Sequence, residues 1–290
     1  MPSICHRRSC QLRVRGRVIE LGPVTRIMGI LNVTPDSFHD GGRFIEPEAA
    51  AARAREITAE GADILDIGAE STRPGSLGIS AEEELSRIVP VLEALACDYP
   101  IPISVDTSKA AVARAALGLG ASIINDVTAL QNDPEMGGVI ASSGAGVVLM
   151  HMRGTPGTMQ QIPPSPDIMA ELEAWIEAAA ERAKSCGIAW DKIVIDPGIG
   201  FGKTADQNLE ILRNLDRLAS FGFPVLVGTS RKSFIGSILK QSTAERIWGT
   251  AASVAASIVF GAHVVRVHDV AAMRDVSRIM DAIVAERPVA

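Results

Sequence analysis

The sequence has little cysteine, no excess of positive charge and no long apolar run. Four cysteines in 290 residues do not make a disulfide framework. Cys5, His6 and Cys10 lie close together, but their spacing has no matching second pair, and structural zinc sites use paired short spacings. They are read as unliganded thiols. Lys and Arg number 28 against 34 Asp and Glu, a formal charge of −6. That argues against non-specific nucleic-acid binding, which needs a basic face to displace counterions. The longest weakly polar run, 251–265, is interrupted by Ser253, Ser257, Gly261 and His263, and falls short of the roughly 20 residues of a spanning helix. His6, Arg7 and Arg8 are basic, but no signal-peptide apolar stretch follows them. The expectation is a cytoplasmic protein with reduced thiols, bound to neither membrane nor nucleic acid. No Pro/Gly/Ser-rich linker divides the chain.

What is present is apolar and periodic. Hydrophobic residues make up 47%, too many for a disordered chain. Short Val/Ile-rich runs stand at 27–33, 64–69, 103–107, 122–127, 146–151, 193–198, 224–230 and 263–269. They are continuous rather than alternating, as strands buried on both faces of a parallel sheet are. Helical patterns lie between and after them, at 48–60, 81–96, 109–117, 134–142, 167–186, 205–219, 233–240 with 243–260, and 270–286. Ser80 with Glu83 three residues on reads as a capping box. Gly61 and Gly187 suit helix C-terminal caps. Eight strand–helix units predict a single (β/α)8 barrel, of class α/β, over 25–290. An open doubly wound sheet is the alternative, but the first turn, NVTPDSFHDGG, carries neither G-x-G-x-x-G nor a P-loop. Residues 11–21 alternate, so the lead, 1–24, is expected to be a strand or hairpin.

The runs end in polar side chains: Asn32, Glu70 to Arg73, Asp106, Asn125, His151, Asp196, Ser230 to Lys232, and Arg266 with His268. In a barrel these project from the C-terminal rim, where active sites sit. Asx-turns and helix caps explain single positions. They do not explain Asp106 and Asp196 inside buried runs, where an unpaired carboxylate costs several kcal/mol. With Asn125 and Lys232 these carboxylates describe a pocket for a flat, nitrogen-rich ring. Arg266 and His268 point the same way in the last strand and read as a cationic anion site beside Asn32. The competing reading pairs Arg266 with Asp269 or a helix carboxylate. A hard Mg²⁺ needs few protein oxygens besides substrate phosphates, so the Asn32 amide could hold it. Ser233 and Phe234 open a helix whose N-terminus suits a carboxylate-bearing second substrate, and Phe201 could cover its ring. The Gly/Pro-rich loops at 34–44 and 71–80 read as lids that bring in Asp36, Asp40 and Arg73 on closing.

Eight segments carry a resemblance: MGILNVTPDSFHDGG, DIGAESTRPG, ISVDTSK, IINDV, LMHMRGTPGTMQ, DPGIGFGKT, LVGTSRKSFIG and VRVHDV. They stand in order between about residues 26 and 270. On them the chain resembles the dihydropteroate synthase family, which makes a folate precursor and is the target of sulfonamides. The resemblance implies condensation of 7,8-dihydropterin-6-ylmethyl diphosphate with 4-aminobenzoate, Mg²⁺, and a homodimer. By position it implies that Asp106, Asn125, Asp196 and Lys232 bind the pterin and Asn32 the metal. It places Thr72, Arg73, Arg266 and His268 on the diphosphate. Ser233, Phe201, Phe38 and Pro74 fall in the aminobenzoate pocket, and Asp40 is a first-loop position that acts in catalysis. Gly157 stands where the family often has Lys, and SLGIS is an uncommon second loop. A methyltetrahydrofolate-dependent corrinoid methyltransferase and a non-catalytic pterin-binding paralogue remain alternatives, and diphosphate release separates them from a synthase.

Overall fold

Arg15 and Gly16 both take positive φ (39° and 80°), the two-residue turn whose twist suits a hairpin. It joins β1 (Cys10–Val14) to β2 (Arg17–Leu21), antiparallel with Val14 opposite Arg17. Leu12, Val14, Ile19 and Leu21 are buried on one face. The computed structural model describes residues 7–34, 47–73, 75–95 and 99–285.

Eight parallel strands follow: β3 (Arg26–Asn32), β4 (Ile64–Gly68), β5 (Ile103–Asp106), β6 (Ile123–Asp126), β7 (Gly146–Met150), β8 (Ile193–Asp196), β9 (Leu226–Val227) and β10 (Val264–Val267). Each pairs with its sequence neighbour from β3 to β8, and β10 joins β9 to β3. An Ile195–Val225 bridge brings β8 to the start of β9 and closes the ring. The helices are α1 (Pro47–Ala59), α2 (Ala81–Leu95), α3 (Ala110–Gly118), α4 (Met136–Ser143), α5 (Ile168–Ser185), α6 (Ala205–Arg213), α7 (Leu215–Ala219), α8 (Ser233–Leu239), α9 (Ile247–Val259) and α10 (Val270–Val284). This is the expected (β/α)8 barrel, with the expected hairpin. Ser80 Oγ accepts from the Glu83 amide (3.2 Å), and Gly61 and Gly187 have positive φ.

Three boundaries differ from expectation. The helix expected over 205–219 breaks at Asn214, whose backbone leaves helical geometry while its Nδ2 donates to the Glu210 carbonyl (2.7 Å). The segment 243–260 starts as a 3₁₀ turn before α9. The seventh barrel strand shrinks to two residues, because Pro224 cannot donate to a ladder.

Side chains alternate along each strand, and the alternation sorts them into two cores. Ile27, Leu65, Val105, Ile124, Val147, Ile195 and Val265 face the helices. Met28, Ile64, Ile123, Val148, Val194, Leu226 and Val264 turn inward and pack on Leu12, Val14, Ile19 and Leu21. The hairpin therefore plugs the N-terminal end of the barrel. A buried clasp fastens the lead. Arg7 pairs with Asp281 of α10 (2.6 Å), and Thr25 donates both its amide and its hydroxyl to the same carboxylate (2.7 and 2.6 Å). No helix among the described residues is long and apolar enough to cross a membrane, and Cys10 and Cys186 are free.

Candidate active site

Two residues up from the apolar plug, the inward positions become polar. Ile64 is followed on the same face by Asp66 and Gly68, Ile123 by Asn125, Val194 by Asp196, and Val264 by Arg266. Asn32, Gly68, Asp106 and Asn125 stand side by side in register across β3 to β6. Arg266 ties this layer together. Its Nε and Nη2 reach Asp66 Oδ2 (2.7 and 2.6 Å), and Nη2 reaches Asp106 Oδ2 (3.0 Å). Asn125 Nδ2 donates to Asp66 Oδ2 (3.3 Å). Asp196 accepts from the Gly198 amide (2.7 Å).

Sequence reasoning named Asn125 and Lys232 as partners of the two buried carboxylates. Lys232 does supply positive charge to both carboxylates, but Asn125 donates to Asp66 instead, and the hydrogen bonds to Asp106 and Asp196 come from Arg266 and the Gly198 amide. The pairing of Arg266 with Asp269 is also corrected, since Asp269 pairs with Arg231 (2.6 Å). Asp66 was missed altogether, although the reasoning that selects Asp106 and Asp196 applies equally to an Asp inside ILDIG.

Burial sets the electrostatics. It pushes the Asp106 carboxyl up to about 7, against the pull of Arg266 and with the help of Asp66, Glu84 and Asp126. It raises Asp196 too, which the Gly198 amide, Lys232, Arg266 and Lys203 counteract. Lys232 is pushed down to about 8 by burial and Arg266, with Asp196 and Asp106 pulling it back. Its ammonium lies 4.0 Å from the centre of the Phe201 ring, a cation–π contact. His268 is pushed down to about 3 by burial and by Arg266 and Arg231, and its Nδ1 shares a hydrogen bond with Ser230 Oγ (2.9 Å). The ring is therefore neutral in the ligand-free chain, a hydrogen-bonding group beside the cationic Arg266.

The loop after β8 is fixed by a residue that sequence reasoning passed over. Lys203 Nζ donates to the carbonyls of His151 (3.2 Å), Gly198 (2.9 Å) and Phe201 (3.1 Å). This couples the ends of β7 and β8 and holds Phe201. A lysine in a Gly-rich loop looks solvated, and only its three buried acceptors reveal its role. Arg153 adds a second tie, to the Gly202 carbonyl (3.3 Å) and to Glu171 (2.9 Å). His151 is neutral: burial, with Lys203 and Arg153, pushes it down to about 2, and its ring edges against Trp175. Glu70, another rim position, is spent on Lys109, which also holds the buried Glu84 (2.6 Å).

Ser233 opens α8 directly after Lys232. Thr72 is half-buried and Arg73 exposed, with the Arg73 carbonyl accepting from the Ser76 amide (3.0 Å) and hydroxyl (2.7 Å). Phe38, Asp40 and Pro74, with Asp36, lie outside the described residues. Asn32 ends β3 at the mouth, beside Gly68. Among the described residues no three His, Cys, Asp or Glu cluster to hold a metal.

A layer of carboxylates, an amide and two cations at the mouth of a barrel is what a polar heterocycle requires. A family model described as pterin binding enzyme matches residues 28–268. The chain belongs to the pterin-binding enzyme family. It is similar to the dihydropteroate synthase of Synechocystis sp., 46% identical over 273 residues, which is 94% of each chain. A crystal structure of Xanthomonas albilineans dihydropteroate synthase with 4-aminobenzoic acid matches with a TM-score of 0.89 and 41% identity, over 97% of this chain and 100% of the other. A Clostridium difficile dihydropteroate synthase structure, obtained in the presence of pteroic acid, matches with a TM-score of 0.84 and 45% identity, over 90% and 97%.

Proposed function

We propose that this protein is a dihydropteroate synthase. It joins a 7,8-dihydropterin-6-ylmethyl diphosphate to 4-aminobenzoate and releases diphosphate. The observation that carries this reading is the set of Asp106, Asn125 and Asp196 on the inward face at the strand ends, the last two buried, with Arg266 bonded to Asp106 and the Lys232 charge close by. Acceptors of this kind match the amino and ring N–H groups of a pterin, and the cations match a departing polyanion. Residues 25–290 form the pterin-binding barrel, and residues 1–24 its lead.

In the reaction the C–O bond to the diphosphate breaks and the electron pair leaves with oxygen. The lone pair of the neutral aryl amine then forms the C–N bond, and the amine proton passes to solvent. Asp106 and Asp196 accept charge-assisted hydrogen bonds from the pterin and stabilise the positive charge that develops on it. Arg266, with His268, Thr72 and Arg73, binds the leaving group. Lys232 orients the ring and, by its contact with Phe201, sets one wall of the aminobenzoate site, which Ser233, Phe38 and Pro74 complete. By its position in the sequence, Asp40 is assigned a role in catalysis.

Asn32 fits a Mg²⁺ site. Its amide oxygen is a hard donor at the mouth, and the neighbouring register position is glycine, with the Asp106 carboxylate next to it. Bound there, Mg²⁺ would neutralise part of the diphosphate charge. The protein acts in the cytoplasm as a homodimer, for which exposed Trp248, Ile279 and Ile283 on α9 and α10 offer apolar surface. The test is a coupled assay of diphosphate release with both substrates, with and without Mg²⁺. Release that requires 4-aminobenzoate supports a synthase. No release with all components present excludes it in favour of a methyl-transferring or non-catalytic pterin binder.

A further inference from the structure

We propose that Asp66 is a positioning residue: it is the permanent counter-ion that holds the Arg266 guanidinium in place, so that Asp106 can exchange Arg266 for the pterin ring. The inference rests on the pterin reading above. Its basis is an asymmetry in how the two carboxylates hold one arginine. Asp66 takes both Nε and Nη2 on a single oxygen, at 2.7 and 2.6 Å, whereas Asp106 takes Nη2 alone at 3.0 Å. Asp66 has no solvent exposure and lies one inward position deeper, opposite Ser104, two residues before Asp106. The Asp106 side chain keeps 13% of its surface open. Asn125 donates to the same Asp66 oxygen (3.3 Å), so the deeper carboxylate is also fixed from β6. Asp66 Oδ1 and Ser104 Oγ are buried with no hydrogen-bond partner among the described residues.

The charge arithmetic favours this division of labour. If Asp106 were the only partner of Arg266, its turn toward a pterin would strand a buried guanidinium, and substrate affinity would bear that cost. With Asp66 beneath, Arg266 stays neutralised whichever way Asp106 points. Asp66 also has a second effect. Asp106 feels the charges of Arg266 from β10, Asp66 from β4, Glu84 from α2, Asp126 from β6 and Lys232 from the loop before α8. The Asp66 charge is among those that oppose ionisation of Asp106, so it helps set the pH at which Asp106 becomes an acceptor.

The test is Asp66→Asn in the full chain. The acid limb of kcat/KM for the pterin substrate should move about 1 pH unit or more toward acid, the usual reach of one like charge nearby. KM for 4-aminobenzoate should stay unchanged. A merely structural lesion lowers the rate alike at every pH, so an acid limb at its wild-type position overturns the proposal. The ¹³C carboxyl resonance of Asp106, titrated in the substrate-free protein, reads the same shift without turnover. A wild-type protein that releases no diphosphate would defeat the synthase reading, while this titration would still decide the role of Asp66. If Asp66→Asn does not fold, the double variant D66N/R266Q removes both charges and should recover the fold. Its failure to do so, where R266Q alone folds, would show that Asp66 serves something other than Arg266.

Discussion

Gly198→Ala tests how tightly the loop after β8 serves the buried carboxylate. Gly198 sits at φ +66°, a left-handed conformation that costs a non-glycine residue roughly 1–2 kcal/mol. A Cβ there would stand 1.9 Å from the His151 carbonyl oxygen, where contacts under 3.0 Å are essentially never seen. The loop must therefore retreat by about 1 Å. The Gly198 amide reaches Asp196 Oδ1 at 2.7 Å, and the same retreat takes that contact beyond hydrogen-bonding range. A hydrogen bond to a charged group contributes about 1.5–3 kcal/mol, so kcat/KM for the pterin substrate should fall about ten- to hundredfold. Diphosphate release at varied pterin concentration measures the fall, and thermal unfolding measures the strain. Gly138→Ala is the control. Gly138 lies inside α4 with open space at its Cβ, so alanine should keep full activity and add about 0.4–1 kcal/mol of stability. A Gly198→Ala enzyme with wild-type kcat/KM would refute the reasoning, because Asp196 would then not depend on its backbone donor.

Removing the carboxylate itself, by Asp196→Ala, should lower kcat/KM at least about ten- to hundredfold; full synthase activity would remove Asp196 from the pterin site. Stability should fall in acid. Val225 N–H donates to His263 Nδ1 and His263 Nε2–H donates to the Arg8 carbonyl (both 3.2 Å), a neutral tautomer, and burial pushes the ring down to about 4. Its contribution is complete above the unfolded value near 6.5 and is lost as pH falls toward 4, about 3 kcal/mol at most. His263→Asn should flatten the dependence of Tm on pH in that window, and an unchanged slope would acquit His263. Arg7→Ala leaves the Asp281 carboxylate with only its Thr25 hydrogen bonds, and loss of one partner of a buried pair costs up to about 3–5 kcal/mol. A melt that matches the wild type would show that the clasp carries no stability.

The barrel was legible because its strands are buried on both faces: Ile27, Leu65 and Val147 pack on helices while Met28, Ile64 and Val148 pack on the plug, so both parities are apolar. The rim was legible for the opposite reason, as Asp106, Asn125 and Asp196 interrupt that pattern at strand ends. Asp66 interrupts it too, but one inward position deeper, where attention to the ends misses it. The partners of Arg266 were not legible, because pairing Arg266 with Asp66 spans 200 residues and depends on barrel closure rather than local spacing. Nor was the task of Lys203, since its three acceptors are backbone carbonyls and carry no side-chain signature.

The hairpin and the ionic layer explain each other. The pairing of Asp66 with Arg266 is strong only where water is excluded, and a barrel open at its N-terminal end would admit water from below to the floor of the pocket. Leu12, Val14, Ile19 and Leu21 close that end on Met28, Ile64, Ile123 and Val194, one inward position beneath Asp66, Asn125 and Asp196. The alternating lead therefore contributes to the site without touching it. It keeps the layer below Asp66 apolar and so helps keep water from the floor on which Asp106 stands, whose carboxyl burial pushes up to about 7. The overall charge of −6 works the same way from outside. Two anionic substrates gain nothing from the global field, so their attraction falls to Arg266, which Asp66 and Asp106 hold, and to Lys232, which is buried against the Phe201 ring.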